Sequence, residues 1–216
     1  MAHATRQIDQ IGRRVILGEA IPHGEKVFSL FEPHTEWISK GKAGVPVELG
    51  VKVYIVEDQH QFIVHHQVMQ NQMDDQVTLE MVAQARQRFP RLNACSFDKG
   101  FHSPANQITL KAQLELVVLP RKGKLSQQAQ AEEQAPDFVK ARRAHSAVES
   151  AINALEVHGL DVCPDHGIDG FKRYVALAVV AKNIHRIGAI AWQQGVEREQ
   201  RKTRQADRDT TYRLSA

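Results

Sequence analysis

The chain has 216 residues, of which 42% are hydrophobic and 25% are charged, and its formal net charge is +3. This length and balance are typical of one globular domain with a sizeable core, and the small positive charge permits a polyanionic partner without requiring one. Two distant cysteines, Cys95 and Cys163, form no CxxC pair, so a disulfide framework and a zinc ribbon are unsupported and a reducing cytosol is expected.

The N-terminal third predicts a weak helix and one hairpin. Residues 5–20 are charged and weakly helical in pattern, and Val27–Phe31 is a short strand-like run inside a loop punctuated by Pro and Gly. In residues 51–68, two runs rich in β-branched residues flank the polar turn Glu57–His60. Apolar residues alternate along both runs, which predicts a β-hairpin.

The middle of the chain alternates between helix and strand signals. A helix is predicted after Asp74 or Asp75, either of which could be its N-cap, and Pro90 lies just past its end. The segment "LNACSF" predicts a strand. Ser103 followed by Pro104 is typical of an N-cap and first helical residue, so a helix is expected over residues 104–113, before a further strand in "LELVVLP".

The C-terminal third begins with residues 121–137, which are polar and Gln-rich and predict a flexible insertion or exposed loop. Residues 138–158 predict a helix that ends before Gly159. Residues 171–194 predict a second, buried helix, whose apolar run is too short to span a bilayer, so no membrane partner is expected. The order of elements favours a mixed α/β fold with helices over a sheet.

Asp98 is the first candidate site residue, in "SFDKGFHS" directly after a predicted strand. In open α/β sheets, ligands gather beyond the carboxyl ends of the strands, so this carboxylate is placed to hold an ion, and Gly100 would let backbone approach closely. The alternative is a turn or N-cap aspartate, which is the more frequent role.

Glu149 is the second candidate. It flanks the apolar seam of the helix predicted over residues 138–158, and His145 lies four residues earlier on the same face. The alternative is an ordinary solvated glutamate. Together with Asp98 it would suit Mg²⁺, which takes hard oxygen ligands, although two-metal chemistry usually needs a third carboxylate.

Basic residues offer a possible phosphate-facing set, with ordinary surface charge as the alternative. Binding of phosphate by Lys and Arg is largely electrostatic and weakens with salt. The set comprises Lys40, Lys42, Lys99, Arg121, Lys122, Lys124, Arg142 and Arg143.

Three long segments carry a resemblance to a known family: "FSLFEPHTEWISKGKAGVPVELGVKV", "SFDKGFHSPANQ" and "HSAVESAINALEVHGLDVCPDHGIDGFKRYVALAVVAKNIHRIG". They resemble the C-terminal catalytic portion of bacterial insertion-sequence DDE transposases of the ISNCY type, from about residue 5 to 190. The resemblance implies an RNase H-like mixed sheet flanked by helices. It also implies an enzyme that uses Mg²⁺ or Mn²⁺ to cleave DNA at transposon ends and to join the freed 3′-hydroxyl to target DNA.

On this resemblance, Asp98 is the second acidic residue of the active site and Glu149 is the last, and both are catalytic metal ligands. Related families often place an arginine four positions before that glutamate, where this chain has His145. The expected contacts to nucleic-acid phosphates are Lys99, Lys122, Arg142, Arg143 and His145.

The family's first catalytic aspartate lies on the first strand of the fold, upstream of "EPHTEW", and no residue of this chain is assigned that role. The expected fold is therefore N-terminally truncated and lacks that strand. Residues 1–22 would be a remnant of a helical insertion, residues 23–194 a partial catalytic domain, and residues 195–216 a charged, disordered tail. A gap in the sheet and little independent activity are the expected consequences.

Two other functions remain open. The chain could be a non-catalytic DNA-binding or dimerising remnant that modulates a full-length transposase, or an RNase H-like nuclease of another family. The expected partners are DNA, at transposon ends and target, and either further copies of this chain or full-length transposase. The expected location is the bacterial cytoplasm, with association to the nucleoid when DNA is bound.

Overall fold

The computed structural model describes residues 2–39, 46–145, 152–160 and 162–214. Within these ranges the chain is mixed α/β, which confirms the predicted class. The helices are α1 (Ala2–Ile11), α2 (Asp74–Arg88), α3 (Pro104–Gln113), α4 (Gln127–Gln134), α5 (Pro136–His145) and α6 (Gly167–Leu214). The strands are β1 (Glu36–Ser39), β2 (Val47–Gly50), β3 (Val53–Glu57), β4 (Ile63–Val68), β5 (Ala94–Ser96) and β6 (Leu116–Val118).

The described strands form three separate two-stranded sheets rather than the single mixed sheet that was expected. The β1/β2 and β3/β4 pairs are antiparallel, whereas β5 and β6 are parallel, with Cys95 opposite Val117. A two-stranded unit is marginal by itself in water, so each must be stabilised by packing against other parts of the chain.

The hairpin β3/β4 confirms the prediction for residues 51–68, with a slightly longer turn. One carboxylate oxygen of Asp58 accepts hydrogen bonds from the backbone N–H groups of His60 and Phe62, both at 2.9 Å. Gln61 lies at a positive φ of 68°. The aspartate therefore closes a five-residue loop in the manner of an Asx turn.

A second hairpin, β1/β2, was not predicted, and Val27–Phe31 is not a strand. The rings of Phe28 and His23 instead pack near Trp37 of β1, at centroid distances of 5.8 and 5.9 Å. This aromatic cluster holds the segment against the face of β1, so its apolar residues satisfy tertiary contacts rather than a strand pattern.

Helix α2 joins the β3/β4 hairpin to the β5/β6 pair. One flank contributes Val77 and Met81 to a cluster with Tyr54 and Met69. The other contributes Val82 to a cluster formed by buried residues in or directly after β5, α3 and β6, namely Phe97, Leu110, Leu114 and Leu119. The two apolar cores of this region therefore meet along α2.

The ends of α2 and α3 are set by local contacts. Met73 is the N-cap of α2, rather than either of the predicted aspartates. Asp74 and Asp75 lie in the first turn, where their negative charges interact favourably with the helix dipole. For α3 the prediction is confirmed: the Ser103 hydroxyl accepts from Asn106 N at 3.1 Å and Pro104 begins the helix.

Residues 121–137 contain α4, which corrects the predicted flexible loop. Ser126 is its N-cap, and its hydroxyl accepts a hydrogen bond from Ala129 N at 3.2 Å. The polar composition was interpreted as a loop, but Gln, Ala and Glu are also good helix formers. Arg121 also ties the helix down, through an ion pair with Glu132 at 2.6 Å.

The inner face of α6 packs on the β3/β4 hairpin. Val175, Ala178 and Val179 are buried, and the last two form a cluster with Ile63 and Leu155. Beside them, the Lys182 ammonium donates to the Glu57 carboxylate at 2.6 Å, and both side chains are more than nine-tenths buried. The helix predicted over residues 171–194 is therefore confirmed, and one of its faces is buried.

Two further features of α6 differ from expectation. The helix runs on to Leu214, so the described residues 195–214 are helical although their composition predicts a disordered tail. Side-chain pairs one turn apart, such as Lys202–Glu199 at 2.7 Å, support it locally. Its most apolar 18 residues have a mean hydropathy of 1.2, so by length and composition alone this one helix of the described chain could cross a membrane.

Candidate functional site

The carboxyl ends of β5 and β6 lie at the same edge because the two strands are parallel. Phe97 N donates to Val118 O at 2.8 Å, so pairing continues one residue beyond β5. Asp98 follows immediately, and the basic segment from Arg121 follows β6. We call this edge the rim and define it as residues 98–102 and 120–126.

Asp98 is exposed on the rim and is the N-cap of a single 3₁₀ turn, Lys99–Phe101. Its Oδ1 accepts a hydrogen bond from Lys99 N at 2.6 Å. Among the described residues, Oδ2 accepts none. The N-cap role that was the alternative for this residue is therefore present, and the second carboxylate oxygen is left for another ligand.

Two buried polar side chains fix this turn on the N-terminal end of α2. The Asn106 amide donates to Asp75 O at 2.7 Å and to Phe101 O at 3.1 Å. The Thr78 hydroxyl donates within α2 to Asp74 O at 2.8 Å, and it also lies 3.4 Å from Phe101 O of the turn. Sequence reasoning missed both residues, because a single Asn or Thr inside a helical pattern gives no sign of which carbonyl it will reach.

A second carboxylate, that of Asp74, lies against the rim. A Cβ atom built on Gly100 would lie 2.7 Å from Asp74 Oδ2, so only glycine fits there without displacing the carboxylate. The other oxygen, Oδ1, accepts from Lys52 Nζ at 3.1 Å. Gly100 therefore does permit a close approach, and the group that approaches it is the Asp74 carboxylate, which the sequence indicated only as a helix cap.

A basic cleft of about 410 Å³ opens beyond the end of β6. Lys122 and Lys124 line it and are exposed, and in the described part of the chain neither ammonium group makes a hydrogen bond or an ion pair. His102 lines it as well. Lys122 N donates to its Nδ1 at 3.4 Å, and its Nε2 lies 3.2 Å from the side-chain oxygen of Gln107.

Arg121 is structural, which removes it from the predicted phosphate-facing set. Its guanidinium donates to the Glu132 carboxylate at 2.6 Å and to the Gln107 side-chain oxygen at 3.1 Å. The hydrogen bonds from Arg121 and from Lys111 hold the pKa of Glu132 below its usual value. The positive charge available in the cleft therefore comes from Lys122 and Lys124.

The remaining predicted site residues are only partly described. Lys99 is exposed on the rim, and Arg142 and Arg143 are exposed on α5, which lies against β5 and β6. Glu149, the side chain of His145, Lys40 and Lys42 lie outside the described residues. The convergence of Asp98 and Glu149 on one cation therefore stays a prediction.

Neither metal ligands in the described residues nor similarity to known proteins indicates a function for this chain. Within the described ranges, no three His, Cys, Asp or Glu side chains are grouped as a metal site requires. Comparisons with protein-family models, curated proteins and solved structures found no match. The observations that bear on function are thus the exposed carboxylate of Asp98 and the basic cleft beside it.

Proposed function

We propose that this chain is the catalytic portion of a DDE-type DNA transposase and that DNA phosphates bind at the rim. The observation that carries the proposal is the position of Asp98. It lies exposed at the carboxyl end of one parallel strand, while two lysines without acidic partners in the described residues follow the neighbouring strand. Ligand sites of open α/β sheets form at this kind of edge.

An RNase H-like fold is part of the proposal. The order of a hairpin, a helix and a parallel β-α-β unit supports it, as does the separation of the β3/β4 and β5/β6 sheets, which α2 and Phe101 bridge. An RNase H-like mixed sheet in which a central strand is missing between β3/β4 and β5/β6 would consist of two such separate pairs.

The side chains of the rim have separate tasks in this proposal. Lys122 and Lys124 attract the phosphodiester backbone, and His102 fixes the backbone of Lys122 through its Nδ1 atom. Asp98 offers a hard carboxylate oxygen, which fits the oxygen preference of Mg²⁺ or Mn²⁺. The ion, held by Asp98 and Glu149, would supply Lewis-acid activation of the phosphodiester.

Binding of DNA at the cleft is tested by the salt dependence of affinity. Fluorescence anisotropy with a labelled duplex compares the wild-type chain, Lys122→Ala/Lys124→Ala, and the control Lys172→Ala/Lys202→Ala, which removes the same charge from α6. Loss of two phosphate contacts should lower the slope of log K against log salt by about 2. Equal slopes for the two double variants would contradict binding at the rim.

Catalysis requires a separate assay, because a non-catalytic DNA-binding role is the second candidate. The N-cap bond of Asp98 favours that role, because it occupies one oxygen of the carboxylate. Nicking of a supercoiled plasmid with Mg²⁺ is compared for wild type and Asp98→Asn. Nicking that the substitution abolishes supports the transposase site, whereas DNA binding without nicking supports the second candidate.

A further inference from the structure

The outward face of α6 carries an apolar stripe that the described residues leave uncovered. Leu177, Val180, Ile184 and Ile187 are 65, 52, 62 and 57% exposed, and Ala191 continues the series. Their spacing alternates between three and four residues. This is the a/d repeat of a helix whose seam packs against a second helix.

The stripe is distinct from the face that α6 uses inside the chain. The inner face contains Val175, Val179 and Lys182, which lie about half a helical turn away from the stripe and pack on the β3/β4 hairpin. A helix that is apolar on two opposite sides is normally buried on both. In the described chain only one side is covered.

The residues that flank the stripe are small or uncharged. Ala181 and Gly188 lie along one border, and a Cβ atom built on Gly188 would meet nothing within 4 Å. Asn183 and Ile190 lie along the other border. These are the positions that usually carry Glu or Lys in coiled coils and select partners by charge. Two copies of this stripe would therefore meet without like-charge repulsion and could approach closely.

We propose that the stripe is the interface for a second copy of this chain, which docks helix to helix through α6. A second copy fits because it presents the same a/d spacing and the same uncharged borders, so one self-complementary surface satisfies both partners. The side chains of residues 191–206 are all exposed, which leaves the helix accessible beyond the stripe. This interface does not depend on the DNA chemistry proposed for the rim.

Light scattering coupled to gel filtration tests the proposal on the full chain at micromolar concentration. The wild type should have twice the 24.3 kDa monomer mass. Ile184→Glu/Ile187→Glu should reduce the mass to that of the monomer while the far-UV circular dichroism stays that of a folded chain. Trp192→Glu, on the same helix but off the stripe, should leave the dimer intact.

A monomeric wild type, or a dimer that the double substitution leaves unchanged, would overturn the proposal. Flotation with neutral phosphatidylcholine vesicles tests the alternative that the stripe binds a membrane surface. A wild-type chain that is monomeric in solution and floats with the vesicles, while the double variant does not, would assign the stripe to a membrane surface and reject the second copy. If the wild type is a dimer that does not float, and the double substitution makes it a monomer, the proposal stands.

Discussion

Helix α2 and the outer half of α6 are both regular helices, but they are stabilised in different ways. In α2, Thr78 and Met81 are completely buried, and both flanks pack on other elements of the chain, including α3. In α6, every side chain from 191 to 206 is exposed. Tertiary packing therefore stabilises α2, whereas residue propensity and pairs one turn apart support the outer half of α6.

This difference also separates the two surfaces proposed here. The rim is fixed to α2 by the buried side chain of Asn106, which donates both to Asp75 O of α2 and to Phe101 O of the rim, so the rim backbone is held in one arrangement. The stripe lies on a helix whose exposed side needs a partner that the described chain does not provide. A binding site benefits from the first situation and an assembly surface from the second.

The largest expected contrast comes from one substitution in each helix. Met81→Ala removes a fully buried side chain and should lower the free energy of unfolding by about 2–5 kcal/mol. Trp192→Ala removes a side chain that is 74% exposed and should change it by about 0.5 kcal/mol or less. Urea unfolding at one protein concentration measures both. Comparable losses would show that the outer half of α6 is packed.

A pH titration of stability tests burial near the rim. Burial raises the pKa of the Cys95 thiol to about 11, from an ordinary value of 9.0. The folded chain thus retains a proton that the unfolded chain releases, and stability should fall as pH rises from about 9 to about 11, by about 2 kcal/mol. Cys95→Ala should have a flatter profile in this window. An unchanged profile would mean that Cys95 is solvated.

Substitution of two asparagines tests whether Asn106 holds the rim in place. Asn106→Ala leaves the carbonyl groups of Asp75 and Phe101 without their donor and should cost about 1–3 kcal/mol in urea unfolding. Asn93→Ala is the control, because its amide bonds to Glu115 on the exposed surface. Its cost should be about 0.5 kcal/mol or less. If the two variants behaved alike, Asn106 would not hold the rim.

The smallest expected effects have opposite signs in the two regions. Gly195→Ala on the exposed side of α6 meets no atom within 4 Å and should stabilise the helix by about 0.5–1 kcal/mol. Gly100→Ala should destabilise by up to about 1 kcal/mol, because its Cβ displaces Asp74 from its ion pair with Lys52. Thermal melts compare them, and equal signs would contradict the close contact at Gly100.

Local signals predicted the elements whose geometry is local. The alternation in residues 51–68 identified the β3/β4 hairpin, and Ser103–Pro104 identified the start of α3. Asp98 was correctly placed after a strand because a short apolar run followed by Asp, Lys and Gly marks the end of that strand. These features depend on neighbours within a few residues.

The failures came from distant contacts and from composition. Trp37 and its aromatic partners determine the β1 region, and Arg121 fixes α4 through Glu132. Neither pairing can be seen in the local pattern of hydrophobicity. The tail was predicted to be disordered because it lacks apolar residues, although Gln, Arg, Lys and Glu are also good helix formers.

By itself, the sequence determined the α/β class, the β3/β4 hairpin, the Ser103–Pro104 start of α3 and the candidate carboxylate Asp98, since each depends on side chains that act on their own segment. Only the tertiary structure decided that Asp74 lies against Gly100, that Arg121 is occupied while Lys122 and Lys124 are not, and that α6 buries one apolar face and exposes the other. These outcomes require elements far apart in sequence to pack, and burial and charge pairing are properties of that packing.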